Sequence, residues 1–249
     1  MLTVDLNSDL GESFGHYTIG NDEKLLPLIT SANIACGFHA GDPQVMAKTV
    51  AIAEKNGVQI GAHPGYPDLN GFGRRYLAMA PRDVSNIITY QVAALAGFTS
   101  GHHLHHVKPH GALYNAAGKD YELAPAICKG IQRVDPQLPI YGLAGSNLIK
   151  AANEVGLPAR SEAFADRAYQ ADGSLVPRSQ AGAVLTDPAE VAQRAVSMIN
   201  EQAVTAITGE TVPLKVDSLC VHGDNEAALL IVKQLRKTLT KNGIELAAC

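Results

Sequence analysis

Acidic and amide side chains follow the first β-prone run of this sequence at alternating positions. Asp5, Asn7 and Asp9 lie two residues apart, and Glu12 follows them in the segment DLNSDLGES. Because successive side chains of a β-strand point to opposite faces, Asp5, Asn7 and Asp9 would share one face of a strand. Grouped carboxylates can move protons as general acids and bases, so this segment predicts part of a catalytic site.

Imidazole and ammonium side chains follow the next three β-prone runs in the same way. His39 comes after the second run, His63 after the third, and Lys108 and His110 after the fourth. Histidine exchanges protons near neutral pH, and a lysine among carboxylates can polarise a carbonyl or act as a base. Lys108 and His110 would share a face of a strand. His106 and His110 have the HxxxH spacing of a helical zinc motif, but Pro109 opposes a helix here.

Further polar residues follow the later runs and two irregular segments. Glu162 and Asp166, near the end of the sixth run, are candidate catalytic groups. Arginine suits a substrate carboxylate or phosphate because its guanidinium makes two parallel hydrogen bonds. The candidate substrate-binding residues are Arg74, Arg75, Arg167, Arg178, His222 and Asp224.

Two aspartates and two histidines also have simple structural interpretations. Asp42 precedes Pro43 and is predicted to cap the N-terminus of a helix. Asp224 stands before the last helix, where a capping role and a ligand contact are equally consistent with its position. His102 and His103 are predicted to lie in solvent without a function.

These polar residues can meet if the strands that precede them are parallel neighbours. Short β-prone runs alternate with longer helical patterns from end to end, which is typical of βα units around a parallel sheet. Ligand sites of such folds lie at the C-terminal ends of the strands. The seven predicted strands are Leu2 to Asn7, Ala32 to Cys36, Val58 to Ala62, His105 to Lys108, Pro139 to Leu143, Arg160 to Phe164 and Ser218 to His222.

Two helices and three connecting segments can be placed between these strands. Helices are predicted over Pro188 to Asn200 and Asn225 to Lys241, each with an apolar stripe at helical spacing. Residues 205–215 predict a β-hairpin before the last strand. Residues 64–75 and 166–183 are rich in turn residues and predict long loops.

Composition predicts one domain over residues 1–249. The 249 residues are 46% hydrophobic, which is enough for a single core of the barrel or doubly wound type. A net charge of −4 without basic clusters argues against nucleic acid or a membrane surface as partner and favours a small molecule. No apolar run approaches the roughly 18 residues of a membrane span. The four cysteines form no CxxC pair, so we expect reduced thiols and a cytoplasmic protein.

Seven segments of the sequence resemble the LamB/YcsF family, the A subunits of bacterial ATP-dependent 5-oxoprolinases. They are DLNSDLGESFG at 5–15, ANIACGFHAGDP at 32–43, GAHPGYPDLNGFGRR at 61–75, HVKPHGALYN at 106–115, SEAFADRAY at 161–169, GSLVPRSQAGA at 173–183 and CVHGDN at 220–225. The resemblance implies an α/β fold, an irregular seven-stranded parallel (β/α) barrel related to polysaccharide deacetylases. It also implies hydrolytic opening of the lactam of 5-oxo-L-proline to L-glutamate with ATP, in a complex with B and C subunits.

The resemblance and the polar residues together suggest a mechanism. We expect carboxylates, acting with His39, His63 or His110, to deprotonate water and to protonate the ring nitrogen. Lys108 would stabilise the developing oxyanion or phosphate. The sequence contains neither GxGxxG nor GxxxxGK[ST], so we expect ATP, with Mg²⁺, to bind mainly to the B and C subunits. The carboxylates concerned are Asp5, Asp9, Glu12 and Glu162.

Two other functions are compatible with the same residues. Asp5, His39, His63 and His110 could hold a divalent ion in a metal-dependent deacetylase or amidohydrolase, although no dedicated metal site is assigned. Alternatively, the chain is a non-catalytic lactam- or sugar-binding subunit that regulates its partners. So many titratable groups in one place favour catalysis. The sequence leaves the oligomeric state open, including a homo-oligomer.

Overall fold

A closed barrel of parallel strands forms the centre of the computed structural model, which describes residues 2–222 and 226–249. The strands, numbered along the chain, are β1 (Leu2–Leu10), β2 (Ser31–Ala35), β3 (Gln59–His63), β4 (His106–Val107), β5 (Ile140–Leu143), β6 (Ala159–Phe164), β7 (Ala203–Thr205), β8 (Thr211–Pro213), β9 (Ser218–Cys220) and β10 (Ile244–Leu246). Seven of them form the barrel in the order β1-β2-β3-β4-β5-β6-β9, and β9 pairs with β1 to close it. The predicted fold class is confirmed, and each predicted strand overlaps an observed one.

Strand β1 has three parallel partners along its length. Leu2–Val4 pair with β10, which lies outside the seven-stranded ring. Asp5–Asn7 pair with β9, and Asn7–Leu10 pair with β2. The first and last strands of the chain are therefore joined at the start of β1, an arrangement that the sequence did not predict.

Eight helices are present in the described part of the chain. They are α1 (Asp22–Leu25), α2 (Pro43–Lys55), α3 (Pro81–Ala96), α4 (Gly111–Lys119), α5 (Leu123–Gln132), α6 (Asn147–Glu154), α7 (Pro188–Glu201) and α8 (Glu226–Lys241). Single 3₁₀ turns occur at Leu26–Leu28, Leu69–Gly71 and Ser100–His102. Within residues 2–222 and 226–249, none of the helices has the length and apolar character needed to cross a membrane.

The apolar core lies between the barrel and the helices, whereas the barrel interior is polar. On β1, the buried apolar residues Val4, Leu6 and Leu10 belong to the main core cluster. Asp5 and Asn7 lie between them in sequence, are fully buried, and hydrogen-bond to residues of neighbouring barrel strands. The alternation predicted for the first strand is thus present, and its polar face lies inside the barrel.

Local sequence signals set the ends of several elements. Asp42 caps α2 by accepting hydrogen bonds from the backbone N–H groups of Gln44 and Val45, as predicted. The hairpin expected within residues 205–215 is formed by β7 and β8, which pair antiparallel from Ala203 opposite Pro213. The strands of the hairpin therefore begin two residues earlier than the sequence indicated.

Gly61 on β3 packs closely against His106, so adding a single methyl group at this glycine should have a large effect on stability. A Cβ at Gly61 would overlap the imidazole ring of His106, including its Nε2. The imidazole cannot move aside, since its Nε2 lies 2.6 Å from Oδ1 of Asn33 and its ring stacks on Tyr141 at 4.1 Å. We expect Gly61→Ala to lower the free energy of unfolding by about 1–3 kcal/mol through overpacking.

Urea denaturation of the purified chain measures this effect. Gly118→Ala is the matched control, because a Cβ at Gly118 in α4 would meet nothing closer than 3.7 Å. This substitution should be neutral or stabilise by up to about 1 kcal/mol, since alanine favours the helix. Equal unfolding midpoints for Gly61→Ala and the unsubstituted protein would contradict the described contact.

Candidate active site

Polar side chains from strands β1, β3 and β6 and from three loops meet at the C-terminal end of the barrel. Asp9 lies near the end of β1, His63 is the last residue of β3, and Glu162 lies on β6. The loops after β1, β2 and β4 add the remaining groups. The predicted site residues that the structure brings into contact here are Asn7, Asp9, Glu12, His39, His63, Lys108, His110 and Glu162.

Lys108 lies at the centre of a buried ionic network. Its Nζ is 2.7 Å from Oε1 of Glu162, 3.1 Å from Oδ1 of Asp9 and 3.1 Å from Oδ1 of Asn7. Burial alone would lower the pKa of Lys108, but the carboxylates of Asp9 and Glu162 raise that pKa well above its usual value. The amine is therefore protonated and can stabilise negative charge rather than act as a base.

The two carboxylates around Lys108 have different surroundings. Asp9 is in part exposed, and although burial would raise its pKa, His63 and Lys108 hold that pKa well below its usual range. Glu162 is fully buried and accepts a hydrogen bond of 2.6 Å from the hydroxyl of Tyr114. Burial and the neighbouring Glu162 carboxylate raise the pKa of Tyr114 well above its usual value, so the phenol stays a donor.

Cys220 contacts the same ammonium group from the opposite side of the barrel. Its Sγ lies 3.1 Å from Nζ of Lys108. Burial raises the pKa of the Cys220 thiol well above its usual value, despite the nearby lysine. Since the thiolate is the nucleophilic form, Cys220 does not have the properties of a cysteine nucleophile.

Three imidazoles pack against one another next to this network. His63 places Nδ1 2.7 Å from the carbonyl oxygen of Lys108 and Nε2 3.0 Å from Nδ1 of His110. His110 places its other nitrogen, Nε2, 2.8 Å from the carbonyl oxygen of Phe72. The ring of His39 stacks on that of His110, with centroids 3.7 Å apart.

Burial keeps two of these imidazoles uncharged. It lowers the pKa of His39 well below its usual value, and His110 and His63 lower it further. Burial, followed by the effect of His63, lowers the pKa of His110 to about 3. Neutral imidazoles are the form of histidine that binds metal ions.

Glu12 completes a group of side chains that could hold a metal ion. Its Oε1 lies 3.6 Å from Nε2 of His39 and 3.6 Å from Nδ1 of His110. One ligand atom from each of Glu12, His39, His63 and His110 lies within 4.8 Å of all the others. The acidic member of this group is Glu12 and not Asp5, which had been the expected carboxylate ligand.

Asp5 lies deeper in the barrel, among hydroxyl groups. Its carboxylate accepts hydrogen bonds from Thr30, from Ser31 at 2.7 Å and from Ser218 at 2.6 Å. Asp9 lies four positions further along the extended strand, a distance of about 13 Å. The structure therefore does not bring Asp5 to the strand ends, although it shares a face with Asp9 as predicted.

The loop at residues 64–75 packs closely over the imidazoles, and its glycines permit this approach. A Cβ at Gly65 would lie 2.7 Å from Nδ1 of His39. A Cβ at Gly73 would lie 2.7 Å from Cβ of His39 and 2.8 Å from Cδ2 of His110. Gly73 also has a φ of 61°, which disfavours other residues at this position.

The candidate arginines are in four different environments. Arg75 is ion-paired with Asp68, and Arg178 is exposed. Arg167 is buried and donates hydrogen bonds to the carbonyl oxygens of Val176 and Ala183, which occupies its guanidinium with the backbone. The fourth, Arg74, contacts an aromatic ring that packs against the imidazoles.

Arg74 is exposed, with its guanidinium carbon 5.0 Å from the centroid of the Phe72 ring. That ring packs edge-on against His39 and His110. Two further candidates form a separate pair, with Nε2 of His222 lying 3.6 Å from Oδ2 of Asp166. Asp224 lies outside the described residues.

Sequence reasoning missed two polar residues that support the site. Asn33 on β2 donates to Oδ1 of Asn7 at 2.8 Å and to Oδ1 of Asp9 at 2.9 Å. Tyr114 lies one helical turn after His110, so the start of a helix at His110 could have indicated it. Asn33 had no comparable signal, because it sits inside a β-prone run. His102 and His103 are exposed, as predicted.

Comparison with known proteins agrees with this architecture. The sequence model of the LamB/YcsF family matches residues 4–249. The A subunit of 5-oxoprolinase from Limosilactobacillus fermentum is 72% identical over 249 residues, covering 100% of both chains. Its counterpart from Clostridium beijerinckii is 53% identical over 99% of this chain and 97% of its own length. The crystal structure of a lactam utilization protein from Thermus thermophilus superposes with a TM-score of 0.95 at 44% identity, covering 100% of both chains. The chain therefore belongs to the LamB/YcsF family.

Proposed function

We propose that this chain opens the lactam ring of 5-oxo-L-proline as the A subunit of an ATP-dependent 5-oxoprolinase. The names of its full-length relatives support this substrate and this role in a complex. The observation that carries the proposal is the buried, protonated Lys108 between Asp9 and Glu162, next to three packed imidazoles. Such a site combines a fixed positive charge with proton acceptors, which hydrolysis of an activated amide requires.

The chemistry of a lactam explains why ATP is needed. A five-membered lactam is a resonance-stabilised amide, so transfer of a phosphoryl group from ATP to the lactam oxygen, with loss of the N–H proton and release of ADP, makes its carbon a stronger electrophile. Water adds to that carbon, the ring C–N bond breaks, and both water protons end on nitrogen as an amine. A second water cleaves the resulting acyl phosphate to L-glutamate and phosphate.

Each charged group of the site has a proposed role in this sequence. Lys108 stabilises negative charge on the phosphoryl group or on the tetrahedral oxygen. Asp9 is the ionised and partly exposed carboxylate, so we assign it the transfer of a proton from water to the ring nitrogen. Glu162 and Tyr114 hold Lys108 in place. Arg74 lies over the Phe72 ring, which packs against two of the imidazoles, and is proposed to bind the substrate carboxylate.

ATP is proposed to bind to the B and C subunits of the complex rather than to this chain. The chain lacks a glycine-rich phosphate-binding motif, and Mg²⁺ would then accompany ATP on the partners. We expect glutamate to form from 5-oxoproline and ATP when this chain and both partners are mixed, and not when this chain or its partners are omitted. Coupled assays of glutamate release measure this directly.

Nucleotide binding to the isolated chain provides a separate test. Isothermal titration with ATP and Mg²⁺ should show no tight binding to this chain alone, and tight binding would contradict the placement of ATP on the partners. Glutamate formation by the partners alone would contradict the proposed function. Glutamate formation without ATP would instead favour a metal-dependent amidohydrolase.

A further inference from the structure

The hydrogen bonds of two imidazoles fix where their lone pairs point. A backbone carbonyl oxygen can only accept, so the ring nitrogen next to it must carry the hydrogen. His63 therefore donates from Nδ1 to the carbonyl of Lys108, at 2.7 Å, and in its neutral form has a lone pair on Nε2. His110 donates from Nε2 to the carbonyl of Phe72, at 2.8 Å, and has a lone pair on Nδ1.

These two lone pairs face each other across a short distance. Nε2 of His63 and Nδ1 of His110 are 3.0 Å apart. Two acceptors at this separation repel each other unless a proton or a metal ion is shared between them. Anchoring of the outer N–H of an imidazole by a carbonyl oxygen is also the arrangement that orients histidines toward a metal ion.

His39 is a second, independent indication of a missing ligand. Its side chain is fully buried, and neither of its ring nitrogens has a hydrogen-bond partner within the described residues. A buried polar nitrogen without a partner costs about 1–3 kcal/mol, which coordination of a metal ion would offset. Its Nε2 is directed toward Glu12, at 3.6 Å from Oε1.

We propose that Glu12, His39, His63 and His110 bind one divalent first-row transition-metal ion, such as Zn²⁺. Three imidazoles and one carboxylate suit this class of ion, whereas Mg²⁺ and Ca²⁺ prefer ligand sets made of oxygen. The site goes beyond the proposed function, because it follows from the ligand geometry whatever amide the chain opens.

The spacing of the ligand atoms fits such an ion. In a tetrahedral site with metal–ligand bonds of 2.0–2.1 Å, ligand atoms are about 3.3 Å apart. The separations here are 3.0 Å between His63 and His110, and 3.6 Å from Glu12 to both His110 and His39. These three values bracket the expected distance, and all four ligand atoms lie within 4.8 Å of one another.

Metal binding requires one change in the cluster. The rings of His39 and His110 are parallel within 3° and 3.7 Å apart, so one ion cannot lie in both ring planes. We expect the ring of His39 to tilt toward Glu12 when the ion binds. Gly65 lies beside Nδ1 of His39 and has no Cβ that would restrict this movement.

The role of the ion, unlike the site itself, rests on the proposed function. A water that joins the ion as a fifth ligand would have its pKa lowered and would supply the nucleophile for the activated lactam. Oδ2 of Asp9 lies 3.4 Å from Nε2 of His63, which places the proposed proton acceptor next to this water. Asp9 contacts both Lys108 and His63, so the network around Lys108 and the imidazole cluster would act on the same substrate.

Binding of Co²⁺ and Zn²⁺ to the isolated full-length chain tests the site. After treatment with a chelator, one equivalent of Co²⁺ should produce visible d–d absorption bands typical of four-coordinate cobalt, and Zn²⁺ should abolish them. We expect Glu12→Gln and His110→Ala to weaken Zn²⁺ binding by at least about 100-fold. His103→Ala, at an exposed histidine outside the cluster, is the control and should bind as the unsubstituted chain does.

Far-UV circular dichroism shows whether each variant is folded. If His110→Ala does not fold, Glu12→Gln still tests the site, because it keeps the shape of the side chain. The proposal is overturned if the unsubstituted chain takes up no Co²⁺, or if Glu12→Gln binds Co²⁺ and Zn²⁺ as tightly as the His103→Ala control. No partner, substrate or ATP enters this measurement. Failure of metal binding and failure of lactam opening in the complex are therefore observed separately.

Discussion

Replacing Lys108 by methionine should lower kcat for lactam opening by the reconstituted complex by about 10²- to 10³-fold, the usual cost of removing one fixed electrostatic group from an active site. Methionine keeps much of the length of the side chain and removes its charge. The phosphoryl group and the tetrahedral oxygen would then lose the ammonium group proposed to stabilise them. Glutamate release at saturating 5-oxoproline and ATP measures the effect.

The same substitution should also destabilise the fold, and a second variant separates the two effects. Without Lys108, the buried carboxylate of Glu162 loses its partner at 2.7 Å, which costs about 3–5 kcal/mol. Adding Glu162→Gln removes that uncompensated charge, so Lys108→Met/Glu162→Gln should regain stability in urea denaturation. It should not regain activity.

Lys215→Met provides the control for loss of a lysine. The Lys215 side chain is exposed and pairs with Asp217 at the surface, so this variant should keep both activity and stability. Reconstituted lactam cleavage that is unaffected by Lys108→Met would exclude the assigned role. It would favour instead a chain that binds a ligand and regulates its partners without taking part in catalysis.

Asp5→Ala is expected to destabilise the protein by about 3 kcal/mol, because two buried donors and one half-buried donor lose this acceptor at once. The hydroxyl groups of Thr30, Ser31 and Ser218 all donate to this carboxylate. Thr3→Ala, at an exposed position of the same strand, should change stability by less than about 0.5 kcal/mol. Urea denaturation of the two variants gives the comparison.

Activity of Asp5→Asn distinguishes a structural from a catalytic role. An amide keeps the shape of the side chain and accepts on one oxygen, and Asp5 lies about 13 Å along the strand from Asp9. We expect Asp5→Asn to keep kcat within a few-fold at a temperature where it is folded. A fall comparable to that of Lys108→Met would place Asp5 in the reaction, as the sequence alone had suggested.

The contrast between Asp5 and Asp9 shows how far strand periodicity reaches. Alternation correctly indicated that Asp5, Asn7 and Asp9 share a face, and the rule for parallel strands correctly indicated which end collects the ligands. Neither rule shows how far along the barrel a residue lies. Strand β1 runs for nine residues through the barrel and extends three residues beyond the predicted end at Asn7. Asp5 and Asp9 thus look alike in sequence and differ in surroundings.

Pairing between distant segments limits prediction elsewhere in the same way. Nothing near Arg167 in sequence shows that its guanidinium is held by the carbonyls of Val176 and Ala183, and β10 pairs with β1 from the opposite end of the chain. The histidines were predictable as a set because each ends or follows a strand. Their contact with Glu12 depends on the path of the loop after β1.

The partners of β1 also bear on how the protein folds during its synthesis. Strand β1 is synthesised well before β9, because Ser218, which hydrogen-bonds to Asp5, follows 213 residues later. Closing a loop of this length costs about 5 kcal/mol in chain entropy, so ring closure should be slow and cannot begin before β9 has been synthesised. Until then one edge of β1 is without its final neighbours. Charged side chains directed inward discourage an open edge from pairing with other chains, so Asp5 and Asp9 would protect the nascent protein from aggregation before they serve the folded one.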